Sequence, residues 1–170
     1  MDNDVILIDE NDAPIGTEEK LAAHQKGLLH RAISDFVFNS KGELLIQKRA
    51  HTKYHSGGLW TNTCCSHPAP GEDTAVAAHR RLQYEMGFDC ELRRIGGLLY
   101  KTVFDNSLTE HEYTHIFTGK YAGPVDKVNP DEVEDWKWVA PDKLLDDMRK
   151  NPSAYTYWFK LALEDVLAKR

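Results

Sequence analysis

Apolar positions along the chain change period several times, and each change marks an element. Residues 5–8 (VILI) form a short apolar run that predicts a strand, and Asn11-Asp12-Ala13-Pro14 within 9–16 is a turn signal. Residues 18–24 carry too little pattern to separate a short helix from an irregular arm. Residues 30–38 (HRAISDFVF) and 43–48 are apolar-rich segments on either side of Asn39-Ser40-Lys41-Gly42, which predicts a hairpin. Residues 61–67 read as one extended piece stopped by Pro68 and Pro70. From Gly71 the period lengthens: Ala75, Ala78, Leu82 and Met86 recur every three or four residues, predicting an amphipathic helix that Gly87 ends. Residues 92–104, 111–121 and 133–139 read as strands. Residues 141–150 and 154–169 read as helices, Pro141 suiting a first turn. Strands, a central helix, more strands and helices last predict an α+β fold on a mixed sheet, not the regular alternation of a doubly wound parallel sheet.

Composition narrows the class. A chain of 170 residues without repeats, low-complexity tracts or Pro/Gly/Ser linkers reads as a single domain over 1–170, with 1–30 as an N-terminal arm. The 41% hydrophobic and 28% charged content is that of a soluble globular protein, and the formal charge of −6 disfavours general nucleic-acid or anionic-membrane binding. No apolar run approaches the roughly 20 residues that cross a bilayer, and Met1-Asp2-Asn3-Asp4 is acidic where a signal peptide is basic. A cytoplasmic monomer is expected, with no nucleic-acid or membrane partner. Its three cysteines, Cys64, Cys65 and Cys90, are odd in number and two are adjacent, so free thiols in a reducing compartment follow.

Two short segments concentrate reactive side chains. On an extended TNTCCSHP (61–68), a period of two puts Thr63, Cys65 and His67 on one face and Cys64 and Ser66 on the other. A thiol and an imidazole then share a surface, although a packed cysteine and a backbone-bonded histidine explain the pair as well. In EHE (110–112) the two carboxyls point the same way about 7 Å apart, suited to one hard cation or to a solvated strand edge, and His111 faces away. His24 and His30 flank a five-residue spacer. With His67, Glu110 and Glu112 they would make a mixed N/O set suited to octahedral Mn²⁺ or Mg²⁺ and, less ideally, Zn²⁺. His51, His55, His79 and His115 read as surface or packing residues. On the central helix Arg81 and Glu85 are four apart, an ion pair unless a divalent ion and a phosphate intervene. Lys20, Lys48, Arg49 and Lys53 supply the local positive charge that a diphosphate would need on an acidic protein, or else a solvated basic face.

Taken together, EKLAAH (19–24), LLHRA (28–32), QKR (47–49), GLWTNTCCSHP (58–68), RRLQYEMG (80–87), EHE and YWF (157–159) resemble the type I isopentenyl-diphosphate Δ-isomerases, metal-dependent members of the Nudix-fold superfamily. The helix also resembles a degraded Nudix box: Glu72, Arg80, Leu82, Glu85, Gly87 and Phe88 match, whereas Ser66, Arg81 and Tyr84 replace a glycine and two glutamates. The resemblance implies a Nudix-like mixed β-sheet sandwich that converts isopentenyl diphosphate to dimethylallyl diphosphate, and it argues against pyrophosphate hydrolysis. It implies that His24, His30, His67, Glu110 and Glu112 hold one divalent metal, that Cys65 and Glu112 are the acid/base pair, and that Tyr100 hydrogen-bonds near Glu112. Glu112 is favoured as the first proton donor and a Cys65 thiolate as the base, an order the residues leave open. Lys20, Arg49, Lys53 and Arg81 would bind the diphosphate, Glu85 a second Mg²⁺, and Trp158 would wall the hydrocarbon pocket. A Nudix-type hydrolase and a non-catalytic metal-binding domain are the competing readings, and the role of Cys64 beyond packing has no signal.

Overall fold

The computed structural model describes residues 3–170. Strand β1 (Asp4–Ile8) pairs antiparallel with β2 (Pro14–Glu19), and helix α1 (Lys20–Lys26) leads to the central strand β3 (His30–Phe38). Strands β4 (Leu44–Arg49), β5 (Trp60–Thr61) and β6 (Cys64–Ser66) precede helix α2 (Thr74–Met86). Strands β7 (Leu92–Val103), β8 (Thr109–Lys120) and β9 (Val133–Val139) follow, then helices α3 (Pro141–Lys150) and α4 (Tyr157–Lys169). β3 pairs parallel with β8 and antiparallel with β1, β4 and β6, so the sheet is mixed and the predicted α+β class holds.

Alternation along β3 divides the core in two. Val37, Leu45 and Cys64 face Leu82 and Met86 of α2, while Phe36, Leu44, Ile46 and Ile116 face Leu144 of α3 and Phe159, Leu163 and Val166 of α4. Each such side chain contributes very roughly 1.5–3 kcal/mol through burial, so the two helical layers hold the sheet between them. Helix α2 starts where the Asp73 carboxyl accepts from the Ala75 and Val76 amides and stops at Gly87, whose φ of 76° is left-handed and whose N–H donates to the Gln83 carbonyl. A Cβ there would collide with the Lys127 backbone, so only glycine fits.

Three expectations need correction. The segment read as a turn followed by a helix or irregular arm is strand β2 followed by α1; β2 is nearly all exposed and is held by main-chain pairing to β1, which leaves no hydrophobic period to read. Residues 61–67 are not one strand. Asn62 Nδ2 donates to the Asp35 and Cys64 carbonyls, and Thr63 Oγ1 donates to the Leu45 carbonyl and accepts from the Val37 amide. These buried side-chain bonds replace ladder bonds between β5 and β6, and Thr63 braces β3 against β4 at that point. The last helix begins at Tyr157, residues Pro152–Ala154 forming a separate 3-10 turn.

Asp35 is an anomaly of the α2 side. It is fully buried on β3, and neither carboxyl oxygen has a hydrogen-bond partner among the described residues. Burial, reinforced by Glu85 and Asp89, pushes its carboxyl well above the usual range. A folded-state value above the unfolded one means that the contribution of Asp35 is most favourable below about pH 4 and falls as pH rises through the unfolded value. Asp35→Asn is therefore expected to stabilise the protein by about 1–3 kcal/mol at pH 7, a gain that fades toward pH 4. Urea unfolding of both proteins at the two pH values checks this, and an unchanged midpoint at pH 7 contradicts it.

Candidate metal centre and active site

Strand register assembles the site. His30 on β3 lies opposite Glu112 on β8, and Glu112 lies opposite Tyr100 on β7, so three neighbouring strands carry these side chains in one row. On the other side of β3, Ser34 lies opposite Cys65, and His67 follows two residues later on the same face. Cys64 points the other way, into the α2 layer, as the period of two predicts. His24 arrives from α1, which ends at Gly27 with a left-handed φ of 64°. That turn lets His24 and His30 converge although five residues separate them. His111 leaves the cluster, its Nδ1 lying 3.2 Å from the Gly27 carbonyl oxygen.

One donor atom from each of His24, His30, His67, Glu110 and Glu112 falls within 4.8 Å of all the others. His24 Nε2 is 2.7 Å from Glu110 Oε1, His67 Nε2 is 2.7 Å from Glu112 Oε1, and His30 Nε2 is 3.3 Å from Glu112 Oε1. The Nδ1 atoms of His24 and His30 lie 2.6 and 2.8 Å from the Lys20 and Leu28 carbonyls; with a proton held there, each Nε2 is the nitrogen that faces the cluster and, once deprotonated, can offer it a lone pair. Burial lowers His67 to about 4 and would lower His30 too, but Glu110 and Glu112 outweigh it and raise His30 to about 10. Burial would raise Glu110, yet contacts with Glu112, His24, His30 and His55 hold it well below the usual carboxylate range. Two buried carboxyls and three imidazoles, with His30 Nε2 lacking an aligned hydrogen bond, fit a divalent cation.

Beside the cluster lies a cavity of about 30 Å³ walled by Cys65, Tyr100, Glu112, His55, Arg49 and Trp158. The Tyr100 hydroxyl donates to Glu112 Oε2 at 2.7 Å, and burial, with Glu112 next, raises Tyr100 well above its ordinary value, so it stays a donor. Cys65 is pushed up to about 12 by burial, Arg49 Nη1 at 3.9 Å from its sulfur pulling the other way. The resting thiol is thus protonated, which opposes the thiolate favoured on sequence grounds. The Trp158 indole N–H donates to Asn62 Oδ1 at 3.3 Å, and the Arg49 guanidinium lies 5.3 Å from its ring centroid.

The small cavity shares Arg49, Tyr54, Cys65 and His67 with an outer cleft of about 340 Å³. Lys20, Lys53 and Arg81 line that cleft together with Arg49, so all four residues expected to meet a diphosphate surround one space. Burial, then repulsion from Lys53 and Arg81, lowers the Lys20 ammonium, as expected where cations are crowded into one cleft. Glu85 stands apart from the five-residue cluster: Oε1 accepts from Arg81 at 2.7 Å and Oε2 from Gln47 at 2.9 Å, the ion pair that the helical spacing predicts.

Three residues of the site escaped sequence reasoning. His55, expected at the surface or in packing, is buried with Nε2 2.6 Å from Glu110 Oε2. Tyr54 places its hydroxyl 3.5 Å from His24 Nε2, and Glu132 pairs with Lys53 and Arg81 inside the basic cleft. The signal for His55 and Tyr54 was the density of charge and aromatics in AHTKYHSGG (50–58), and Glu132 had none. His51, His79 and His115 are what they were expected to be, bonded to Glu134, Asp89 and Asp12 away from the cluster.

A mixed sheet between helical layers, with a His/Glu cluster beside a basic cleft, defines a Nudix protein with a candidate metal site, and the NUDIX domain model matches residues 28–159. A crystal structure from Deinococcus radiodurans superposes with a TM-score of 0.75 at 18% identity, covering 93% of this chain and 96% of that one. A MutT protein from Methanosarcina mazei superposes with a TM-score of 0.68 at 18% identity over 84% of this chain and 96% of its own. These likenesses carry the fold alone. "Isopentenyl-diphosphate Delta-isomerase 2" of Aromatoleum aromaticum is 53% identical over 100% of this chain and 89% of its own. "Isopentenyl-diphosphate Delta-isomerase" of Burkholderia multivorans is 52% identical over 96% and 93%. The chain belongs to the isopentenyl-diphosphate Delta-isomerase family of Nudix-domain proteins.

Proposed function

We propose that the chain is an enzyme that converts isopentenyl diphosphate to dimethylallyl diphosphate, moving a double bond from C3–C4 to C2–C3. The observation that carries the reading is that Cys65 and Glu112 wall one small cavity between the His/Glu cluster and the basic cleft. The reaction adds a proton at C4 and removes one from C2 through a tertiary cation that water would quench, so it needs an acid, a base and a dry pocket. Cys65, protonated at rest, gives its proton to C4, and Glu112 takes the C2 proton; exchange with solvent then resets both. Tyr100 holds Glu112 Oε2 in place, and the Trp158 ring face stabilises the cation without attacking it.

Lys20, Arg49, Lys53 and Arg81 hold the diphosphate, whose charge offsets theirs. His24, His30, His67, Glu110 and Glu112 would hold Mn²⁺ or Mg²⁺, with Zn²⁺ a poorer match to five N/O donors. Such an ion, when bound, fixes the Glu112 carboxyl and tunes its acidity. A second Mg²⁺ on Glu85 requires Arg81 to exchange Glu85 Oε1 for a diphosphate oxygen. Pyrophosphate hydrolysis is the weaker reading, because Arg81 and Tyr84 stand where a Nudix box has glutamates. No helix among the described residues is long and apolar enough to cross a membrane, in keeping with a cytoplasmic enzyme. Incubation of the Mn²⁺-loaded protein with isopentenyl diphosphate in D₂O is expected to yield deuterated dimethylallyl diphosphate by NMR, with the exchange abolished by a chelator. Unchanged substrate in the loaded sample overturns the proposal, and released pyrophosphate or phosphate favours the hydrolase.

A further inference from the structure

His55 lies in the loop between β4 and β5, five residues from the nearest strand end, and it is not one of the five clustered donors. Its ring is stacked on Phe104 with centroids 4.5 Å apart and planes at 15°, and it meets the Trp158 ring edge-on at 5.7 Å. Arg49 Nη2 donates to the His55 carbonyl at 3.2 Å, which ties the loop to the sheet. So held, the imidazole brings Nε2 to 2.6 Å from Glu110 Oε2, a short contact, though not aligned as a full hydrogen bond. Glu110 Oε1 meanwhile faces His24 Nε2 at 2.7 Å. The carboxyl is therefore gripped from both sides, one oxygen toward the cluster and the other toward His55.

The next residue sets the tautomer. Ser56 has a φ of 54°, a left-handed conformation that residues other than glycine seldom adopt, and in it Oγ lies 3.1 Å from His55 Nδ1. A hydroxyl donating to Nδ1 leaves the imidazole proton on Nε2, facing Glu110. A liganding carboxyl free to rotate loses orientational entropy on metal binding and can present either oxygen, and a donor on the distal oxygen removes both costs.

We propose that His55 is a positioning residue for the cation site: its Nε2–H holds Glu110 Oε2 and thereby presents Oε1 to the space shared by His24, His30 and His67. The inference rests on the reading of the five-residue cluster as a cation site. Mn²⁺ titration followed by electron paramagnetic resonance on the substrate-free protein tests it with three variants. His55→Phe keeps the stack on Phe104 but loses the donor, His55→Gln can still reach Glu110, and His55→Asn is too short.

Mn²⁺ affinity is expected to fall about 10–100-fold in H55F and H55N and to recover most of that loss in H55Q. The count of imidazole nitrogens around Mn²⁺, read from electron spin-echo modulation, should be the same in wild type and H55Q. Wild-type affinity in H55F, or equal affinities in H55Q and H55N, overturns the role of His55; the second comparison decides should H55F not fold. One nitrogen fewer in H55Q would make His55 a ligand, which also overturns it. Failure of the wild-type protein to bind Mn²⁺ overturns the cluster reading itself, and the inference with it.

Discussion

Cys65→Ala is expected to lower kcat for isopentenyl diphosphate by about 10²–10⁴-fold, the range for removal of a positioned acid or base, while Mn²⁺ affinity and thermal stability stay close to wild type. The expectation follows from what the thiol touches. Its sulfur faces the cavity that Glu112 and Trp158 also wall, it has Arg49 at 3.9 Å, and it is not one of the five clustered donors. Cys65→Ser should recover little, because a hydroxyl is a much weaker acid than a thiol in the same dry site. The neighbouring thiol supplies the contrast. Cys64 is fully buried against Val37, Leu45 and Leu82 on the opposite face, so Cys64→Ala should leave kcat near wild type and cost stability through the small cavity it creates. Steady-state kinetics and thermal unfolding of the three variants separate the two cysteines. A C65A protein with more than a tenth of wild-type kcat would remove the thiol from the reaction.

The two thiols take opposite faces of an extended piece, a feature that local sequence encodes. Alternation is a property of a strand's own backbone, so the pairing of Cys65 with His67, and of Glu110 with Glu112, needed only the assumption that each piece is extended. The α2 helix was legible for the same reason, since its stripe of Ala78, Leu82 and Met86 and its stop at Gly87 are local. What a sheet neighbour supplies was not legible. Strand β2 has main-chain partners but no buried face, and Thr63 interrupts the expected strand because β3 and β4 offer its hydroxyl two backbone partners. His55 looked like loop filler because its significance lies in Glu110, fifty-five positions away, and in the stacking of Phe104. The two basic residues Lys53 and Arg81 were read as diphosphate ligands, whereas the Glu132 carboxyl between them had no motif to announce it.

The proposed proton order rests on burial outweighing residue type. A cysteine beside a histidine and an arginine invites a thiolate reading, because nearby positive charge favours the anion. Here the histidine two residues on is a neutral imidazole lowered to about 4, and the arginine is balanced by burial severe enough to push the thiol to about 12. Desolvation wins over Arg49, and the Glu85 and Glu112 carboxylates add to it. The same dryness protects a tertiary cation, so the feature that makes Cys65 a poor resting base also makes the site fit for the reaction.

Glu112→Gln is expected to cause the largest loss of any single change, about 10⁴-fold in kcat, together with weakened Mn²⁺ binding. Glu112 reaches into both halves of the site: Oε1 lies among His30 and His67, and Oε2 accepts the Tyr100 hydroxyl. The amide is nearly isosteric and can keep the Tyr100 hydrogen bond, but it carries no charge for a cation and no basic carboxylate to take the C2 proton. Glu110→Gln separates these roles. Glu110 contacts His24, His30 and His55, and the Tyr100 hydroxyl bonds its neighbour instead, so its loss should weaken metal binding and leave kcat largely recoverable at saturating Mn²⁺. Glu112→Gln should stay inactive however much Mn²⁺ is added. Tyr100→Phe, which removes only the donor to Oε2, should lower kcat about tenfold or more, the value of a hydrogen bond to a charged group, with unchanged metal affinity. Titrations of kcat against Mn²⁺ for the three variants distinguish these outcomes. If saturating Mn²⁺ restores E112Q to the level of E110Q, Glu112 is a ligand and nothing more, and the proton that leaves C2 must go elsewhere.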